Sequence, residues 1–446
     1  MTMGTALSRW TMVFFAAALL FLLAAEAMMA VGYGFPAAPV EAPETLVLVH
    51  AVAIGWLSLL MCGALLQFVP VLVARPLRAG RLVVPALLCL LAGLACLLGG
   101  FLDLAGAIVS GLPLLPAAAV LLPLGFLLIG FIVAATLWSV RPSRLPLQAR
   151  FVAVGVACLF ATFGLGALFA LTLSGLLPFD VRSWGLPIHA VAGFGGWLTF
   201  SAIGVSYRLL PMFMLSPEKE CATGKAAWWS GVAALLSVPG GIVERLLGWP
   251  GMGGALAAAL AAAMLVFYGA DLVFFYRNRK RRHVELNVSA AGGGFLALFA
   301  SALLFFALVA AGSLARHVGA FVYLVAFGWL TGLGLSQLYK IVPFLTWLEC
   351  YGGLMGRKPT PRVQDLVVEK RGRYWFALYF VAVAAGTAAL LTEAPSLFRL
   401  ASALMLAATL AIVAELVAAR RLVYVPSEKR LPDGAVQPNL FLPRCR

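Results

Sequence analysis

Apolar residues run along this chain in blocks of about twenty, rather than in the narrow stripe of a soluble helix or the alternation of a half-buried strand. A block of that length is what an α-helix needs to cross the hydrocarbon core of a bilayer. Twelve blocks can be read, at 10–33, 45–73, 82–103, 116–140, 150–174, 187–215, 227–244, 251–276, 287–312, 317–347, 374–391 and 397–419. Short connections rich in Pro, Gly and Arg separate them. The pattern predicts an all-α polytopic membrane protein of twelve transmembrane helices. Residues 1–446 then form a single membrane domain, with a cytoplasmic tail at 422–446. The longest polar stretch, Glu349 to Arg373, reads as a basic, solvated cytoplasmic loop.

Composition agrees. Hydrophobic residues make up 63% of the chain and charged residues 11%, against about 25% charged in a soluble domain. A soluble enzyme, a disordered chain and a secreted disulfide scaffold are excluded, and the partner that surrounds the chain is the lipid bilayer. The formal net charge of +15 could suggest nucleic acid, but its placement argues for topology and no nucleic-acid partner. With the N-terminus inside, only Arg182, Arg245, Arg316 and Arg399 fall on the outer side. The other 28 of the 32 Lys and Arg fall inside, among them Arg75, Arg78, Arg81, Arg141, Arg144, Arg150 and the run Arg277–Arg282. That bias predicts both termini in the cytoplasm, in a bacterial-type cytoplasmic (inner) membrane. Arg9 and the small residues Ala27 to Ala30 resemble a signal peptide, but the first apolar run is long for one, and the repeat below needs it to stay. The seven cysteines, Cys62, Cys89, Cys96, Cys158, Cys221, Cys350 and Cys445, show no CxxC spacing and read as packing residues.

A repeat is written over the spans. Trp56, Trp197 and Trp329 each follow a Gly and precede Leu and then Ser58, Thr199 or Thr331. A small residue comes seven positions on (Gly63, Gly204, Ser336), a long polar one eleven on (Gln67, Arg208, Lys340) and Pro fourteen on (Pro70, Pro211, Pro343). The copies fall on spans two, six and ten, which predicts three pseudo-repeated four-helix blocks at about 1–140, 141–276 and 277–421. Gly and Ser or Thr one turn apart suit close helix approach. The long polar residue suits snorkelling to headgroups, and the proline suits the end of a helix.

Histidine placement is the sharpest chemical signal. His283 ends the basic run RNRKRRH and reads as solvated, whereas His50, His189 and His317 lie one per marked helix, upstream of its tryptophan. At about 1.5 Å per residue of α-helix, their offsets of six, eight and twelve residues put them roughly 9, 12 and 18 Å outward of a tryptophan layer. Neutral imidazole is a favoured ligand for haem iron and copper. A hydrogen-bonded packing or interfacial histidine is the alternative. The ligand reading expects three rings that reach one shared interior.

Twelve helices with histidines on the second, sixth and tenth resemble subunit I of the haem–copper oxidase superfamily, which includes the nitric oxide reductases. The stretches HAVAGFGGWLTFSAIGVSYRLLP and HVGAFVYLVAFGWLTGLGLSQLYKIVP resemble the ligand-bearing helices of the C-type oxidases and reductases. The NnrS-type haem and copper membrane proteins are a second similar group. By that resemblance His50 matches a low-spin haem ligand, His189 a copper ligand and His317 the tenth-helix position. The implied cofactor is a b-type haem, and the implied partner a cytochrome or another respiratory subunit. The chain departs from the pattern. The family centre uses six histidines, span seven here has none, no His-His pair occurs, and span ten has one where the family has two. A three-histidine copper site is not supplied.

The resemblance thus implies an oxidase-like protein of respiratory electron transfer, or of nitric oxide or oxygen handling, without a complete haem–copper centre. The alternatives are a transporter of a small solute or metal ion, with Arg208 and Lys340 on an anion path, and a catalytically silent partner or assembly factor. The span acids Glu26, Asp103, Asp271 and Glu415 read as helix-end anchors.

Overall fold

The structure, a computed structural model, describes residues 10–140, 145–178, 180–218, 222–249, 251–356, 359–431 and 438–441. Arg9, Arg141, Arg144, Cys221, Cys445 and residues 432–437 and 442–446 of the C-terminal tail, all used in the sequence reading, lie outside the described residues. Twelve helices are long and apolar enough to cross a membrane, and no strand occurs among the described residues. They are α1 (Thr11–Val31), α2 (Pro43–Val73), α3 (Gly80–Leu104), α4 (Leu114–Leu137), α5 (Leu147–Leu173) and α6 (Arg182–Met214). Then follow α7 (Ala222–Leu246), α8 (Met252–Arg277), α9 (Leu286–Ala310), α10 (Leu314–Leu354), α11 (Glu369–Leu391) and α12 (Pro395–Arg420). All twelve expected spans are present. Large apolar side chains such as Leu20, Phe131, Leu236, Val266 and Leu303 are more than half exposed, as suits helices whose outer faces are solvated by acyl chains.

The chain divides into two compact units. One holds the described residues up to Gln67, 104–107 and those from Glu285 onward, and so α1, most of α2 and α9 to α12. Within it α1 lies against α12 and the middle of α2, α9 against α10, and α11 against α12. The other holds 68–103 and 108–284, with α3 to α8. Here α7 and α8 form a tight pair, and α5 packs on both α4 and α6.

Three helices are not uniform. Helix α2 is π-helical over Ala51–Ser58, α6 over Val191–Phe200 and α10 over Leu324–Thr331. The N–H of Leu59 accordingly reaches Ile54 O, and that of Gly332 reaches Phe327 O, five residues back. These segments carry the repeated tryptophans. Pro70 and Pro211 lie three residues before the ends of α2 and α6, but α10 continues eleven residues past Pro343, to Leu354. The expectation that proline closes each helix fails there.

The 349–373 stretch also differs from the expected solvated loop. Glu349 still belongs to α10, and α11 begins at Glu369. The connection between them folds back: Leu366 is fully buried with Cys350, Tyr351, Leu422 and Val425, and Trp347 Nε1 donates to Pro361 O at 2.6 Å. Apolar burial and this hydrogen bond together dock the basic loop.

Candidate functional site

Each marked helix is held against the one before it at the repeated glycine. A Cβ on Gly55 would lie 2.5 Å from the Phe21 ring of α1, and one on Gly328 would lie 2.9 Å from Ala297 of α9. Gly196 meets Cys158 of α5 in the same way. A side chain has no room at these points, so the motif requires glycine for close helix approach. The tryptophan that follows is buried in every copy: Trp56 is 0% exposed, Trp197 1% and Trp329 0%.

The Ser or Thr two positions later does more than pack. Ser58 Oγ donates to Ala53 O at 2.7 Å and Thr331 Oγ1 to Ala326 O at 2.8 Å, both five residues back, in the register of the π turns. Thr331 Oγ1 also accepts the indole N–H of Trp56 at 2.8 Å, tying α2 to α10. Single π turns are frequent at functional sites. Motif composition alone did not reveal them.

His50 ends the first α-helical part of α2 and precedes its π segment. Its Nδ1 lies 2.8 Å from Leu46 O. His189 precedes the π segment of α6, half-buried, with Nδ1 2.9 Å from Thr162 O. The ring of Phe169 meets it edge-on at 5.4 Å, and Gly166 leaves space beside it. A carbonyl can only accept, so in both residues Nδ1 carries a hydrogen, and in the neutral ring Nε2 then carries the lone pair.

His317 is different. It sits at a kink near the start of α10, with non-helical backbone angles (φ −112°, ψ 18°). Its neighbour Arg316 makes a two-pronged bond to the exposed carboxylate of Glu393, at 2.5 and 2.9 Å. That bond, with the charges of Arg316 and His317, holds the Glu393 carboxyl below the usual carboxylate range. Phe35 lies directly on Gly319. His283 is exposed, outside every span.

His50 and His317 belong to one unit and His189 to the other. Among the described residues no three His, Cys, Asp or Glu side chains form a group that could hold a metal ion. The depths inferred from α-helical spacing also need correction, because a π segment or a kink separates each histidine from its tryptophan. A turn closed five residues back takes in an extra residue, so it rises and rotates less per residue than an α-turn.

Polar groups that the sequence placed at helix ends have specific partners, and Glu26 and Asp271 are buried between helices. Glu26 is 0% exposed and accepts a hydrogen bond from Thr409 of α12 at 2.9 Å. Asp271 accepts from Tyr207 at 2.8 Å and from Thr223 at 2.5 Å, joining α6, α7 and α8. Asp103 bonds Ser110, and Glu415 pairs with Arg371 at 3.0 Å. Lys340 does not snorkel: its Nζ is 2.5 Å from Glu285 Oε2, with both side chains largely buried. Arg208 pairs with Glu218 beside a cavity of about 320 Å³. Neither that cavity nor the small one beside Lys340 is lined by a histidine.

No known protein-family profile matches the chain, and no curated protein does. Solved structures do. One, described as a haem–copper terminal oxidase dimer studied by cryo-electron microscopy, matches with a TM-score of 0.60 at 13% identity, over 97% of this chain and 85% of the other. The chain therefore has the fold of a haem–copper oxidase subunit, built on twelve membrane-spanning helices.

Proposed function

We propose that this protein is an oxidase-like member of a bacterial-type cytoplasmic membrane, with both termini inside and three four-helix blocks. In this reading it serves respiratory electron transfer, or nitric oxide or oxygen handling, through one b-type haem and without a haem–copper centre of its own. The observation that carries it is the contact of His50 and His189 Nδ1 with a backbone carbonyl. A backbone carbonyl takes the Nδ1 hydrogen of each, so in the neutral ring Nε2 is the acceptor, as in a histidine set to ligate iron. The donor set fits a single axial imidazole and does not fit the six-histidine centre. No three-ligand group is assembled among the described residues, and the indole of Trp56 occupies the crossing of α2 with α10.

Haem, when bound, would supply one-electron chemistry. His50 or His189 would hold it and set its orientation. His317, tied into the Arg316–Glu393 end of α10, is the weakest of the three candidates. The test is the absorption spectrum of the full chain, purified in detergent after expression with ample haem. A Soret band is expected. It should be lost or reshaped in His50→Ala or His189→Ala and unchanged in His317→Ala. A colourless wild-type protein would overturn the reading.

The Trp56–Thr331 bond favours a second reading, a cofactor-free partner or assembly factor of a respiratory complex, because it closes α2 onto α10 with protein alone. That protein would be colourless and would co-purify with respiratory subunits.

A further inference from the structure

Cations crowd one face of the second unit, and one of them lines a cavity. Helices α2, α6 and α8 end on that face and α5 begins there. The cavity lies among those four ends, between Leu72 of α2, Leu147 of α5, Arg208 of α6 and Phe275 of α8. It measures about 320 Å³, within the range of small-molecule sites, roughly 300–1,000 Å³. All four residues belong to the same unit.

The charge around it is one-sided. Arg75 comes three residues after Leu72, Arg150 three after Leu147 and Arg277 two after Phe275. None of these three arginines forms an ion pair among the described residues. The described acids of the unit on this face are Glu218 and Asp271, and Asp271 is buried under hydrogen bonds from Tyr207 and Thr223. Arg208 is the cation that reaches the cavity. Its Nε is shut away and Nη1 goes to Glu218, yet the side chain is 33% exposed, so its open part is the guanidinium tip. Nη2 has no partner among the described residues.

The surface beside this tip is apolar and uncovered. Val71, Met212 and Leu215 are 42%, 43% and 52% exposed, and Met212 lies one turn after Arg208 on the same side of α6. A soluble anion makes no use of that surface, and a neutral lipid makes none of the cations. We infer that the cavity takes the headgroup of an anionic phospholipid from the leaflet at this face. The phosphate meets the Nη2 end of Arg208 in a charge-assisted bond. The basic connections draw the headgroup in, and the acyl chains lie along Val71, Met212 and Leu215. Glu218 is the built-in competitor: it shares the guanidinium charge, and its carboxylate repels an incoming phosphate. The inference stands on the cavity and its charges, and the colour of the protein does not bear on it.

The test is native mass spectrometry of the full chain, released from detergent micelles that hold equal amounts of phosphatidylglycerol and phosphatidylcholine. One phosphatidylglycerol per chain should be retained, about tenfold in preference to phosphatidylcholine. Arg208→Gln should abolish the preference. Arg81→Gln, which removes an exposed cation of the same face outside the cavity lining, should lower it less than about twofold. Glu218→Gln should raise it several-fold, a gain that misfolding cannot mimic. Inorganic phosphate should not displace the lipid, since it lacks the acyl chains. The proposal fails if the two lipids are retained alike, or if Arg81→Gln costs as much as Arg208→Gln, which would mean diffuse attraction. It fails equally if Glu218→Gln does not raise the preference, or if inorganic phosphate displaces the lipid.

Discussion

The same motif position carries a cation near the ends of α6 and α10, and the two are built in opposite ways. Lys340 is closed in. Its partner Glu285 precedes the first turn of α9, the two side chains are 13% and 7% exposed, and Gln364 donates to the second carboxylate oxygen at 2.8 Å. The space left beside them, about 10 Å³, holds at most a water. Arg208 is open. Its partner Glu218 comes from the connection after α6, the side chains are 33% and 58% exposed, and the 320 Å³ cavity lies alongside. The difference follows from what comes after the cation. Helix α10 runs fourteen residues beyond Lys340, whereas α6 stops six residues beyond Arg208 and hands the chain to a loop. A shared motif fixes where a charge sits on its helix, and the length of helix that follows decides whether that charge is closed in or left open.

The strongest way to break this contrast is to remove one partner from the closed pair. Lys340→Met leaves Glu285 buried without its cation, which should cost about 3–5 kcal/mol. The double variant Lys340→Met with Glu285→Leu should recover most of that, since an apolar pair of similar size often matches a buried ion pair. Equilibrium unfolding in mixed micelles checks both. Equal losses in the single and double variants would show that the pair is not a unit.

The middle of α10 is as closed as its end. Thr331→Val leaves the indole N–H of Trp56 buried without an acceptor and should cost about 1–3 kcal/mol by the same measurement. A loss under half a kilocalorie would mean that this bond contributes nothing to joining α2 and α10.

These contrasts also mark how far the sequence could be read. Twelve spans and the marked helices were legible because bilayer thickness sets a length and a repeated Gly-Trp-Leu stands out from an apolar background. The π register was not, since the same residues serve turns closed four or five back, and depths computed for an α-helix therefore erred for His50, His189 and His317. Polar pairings were equally hidden. Lys340 with Glu285 and Glu26 with Thr409 join residues 55 and 383 apart, and no local pattern announces such a partner. Snorkelling was inferred for Lys340 because a lone cation near a span end has that option, and the structure supplies a buried acid instead. Docking of the 349–373 stretch was missed because its basic residues dominate the composition and the few residues that bury, Leu366 among them, do not.

The smallest expected effect sharpens the comparison most. Glu218→Gln removes the acid of the open pair, and a pair this exposed contributes at most about 1 kcal/mol. Salt should erase even that, because at 1 M the screening length falls to about 3 Å. The wild type and Glu218→Gln should then unfold alike in 1 M salt, while Lys340→Met keeps its full deficit, since a buried pair is poorly screened. If salt instead removed the Lys340→Met deficit as well, the two cations would share one environment, and the division into a closed and an open pair would fall.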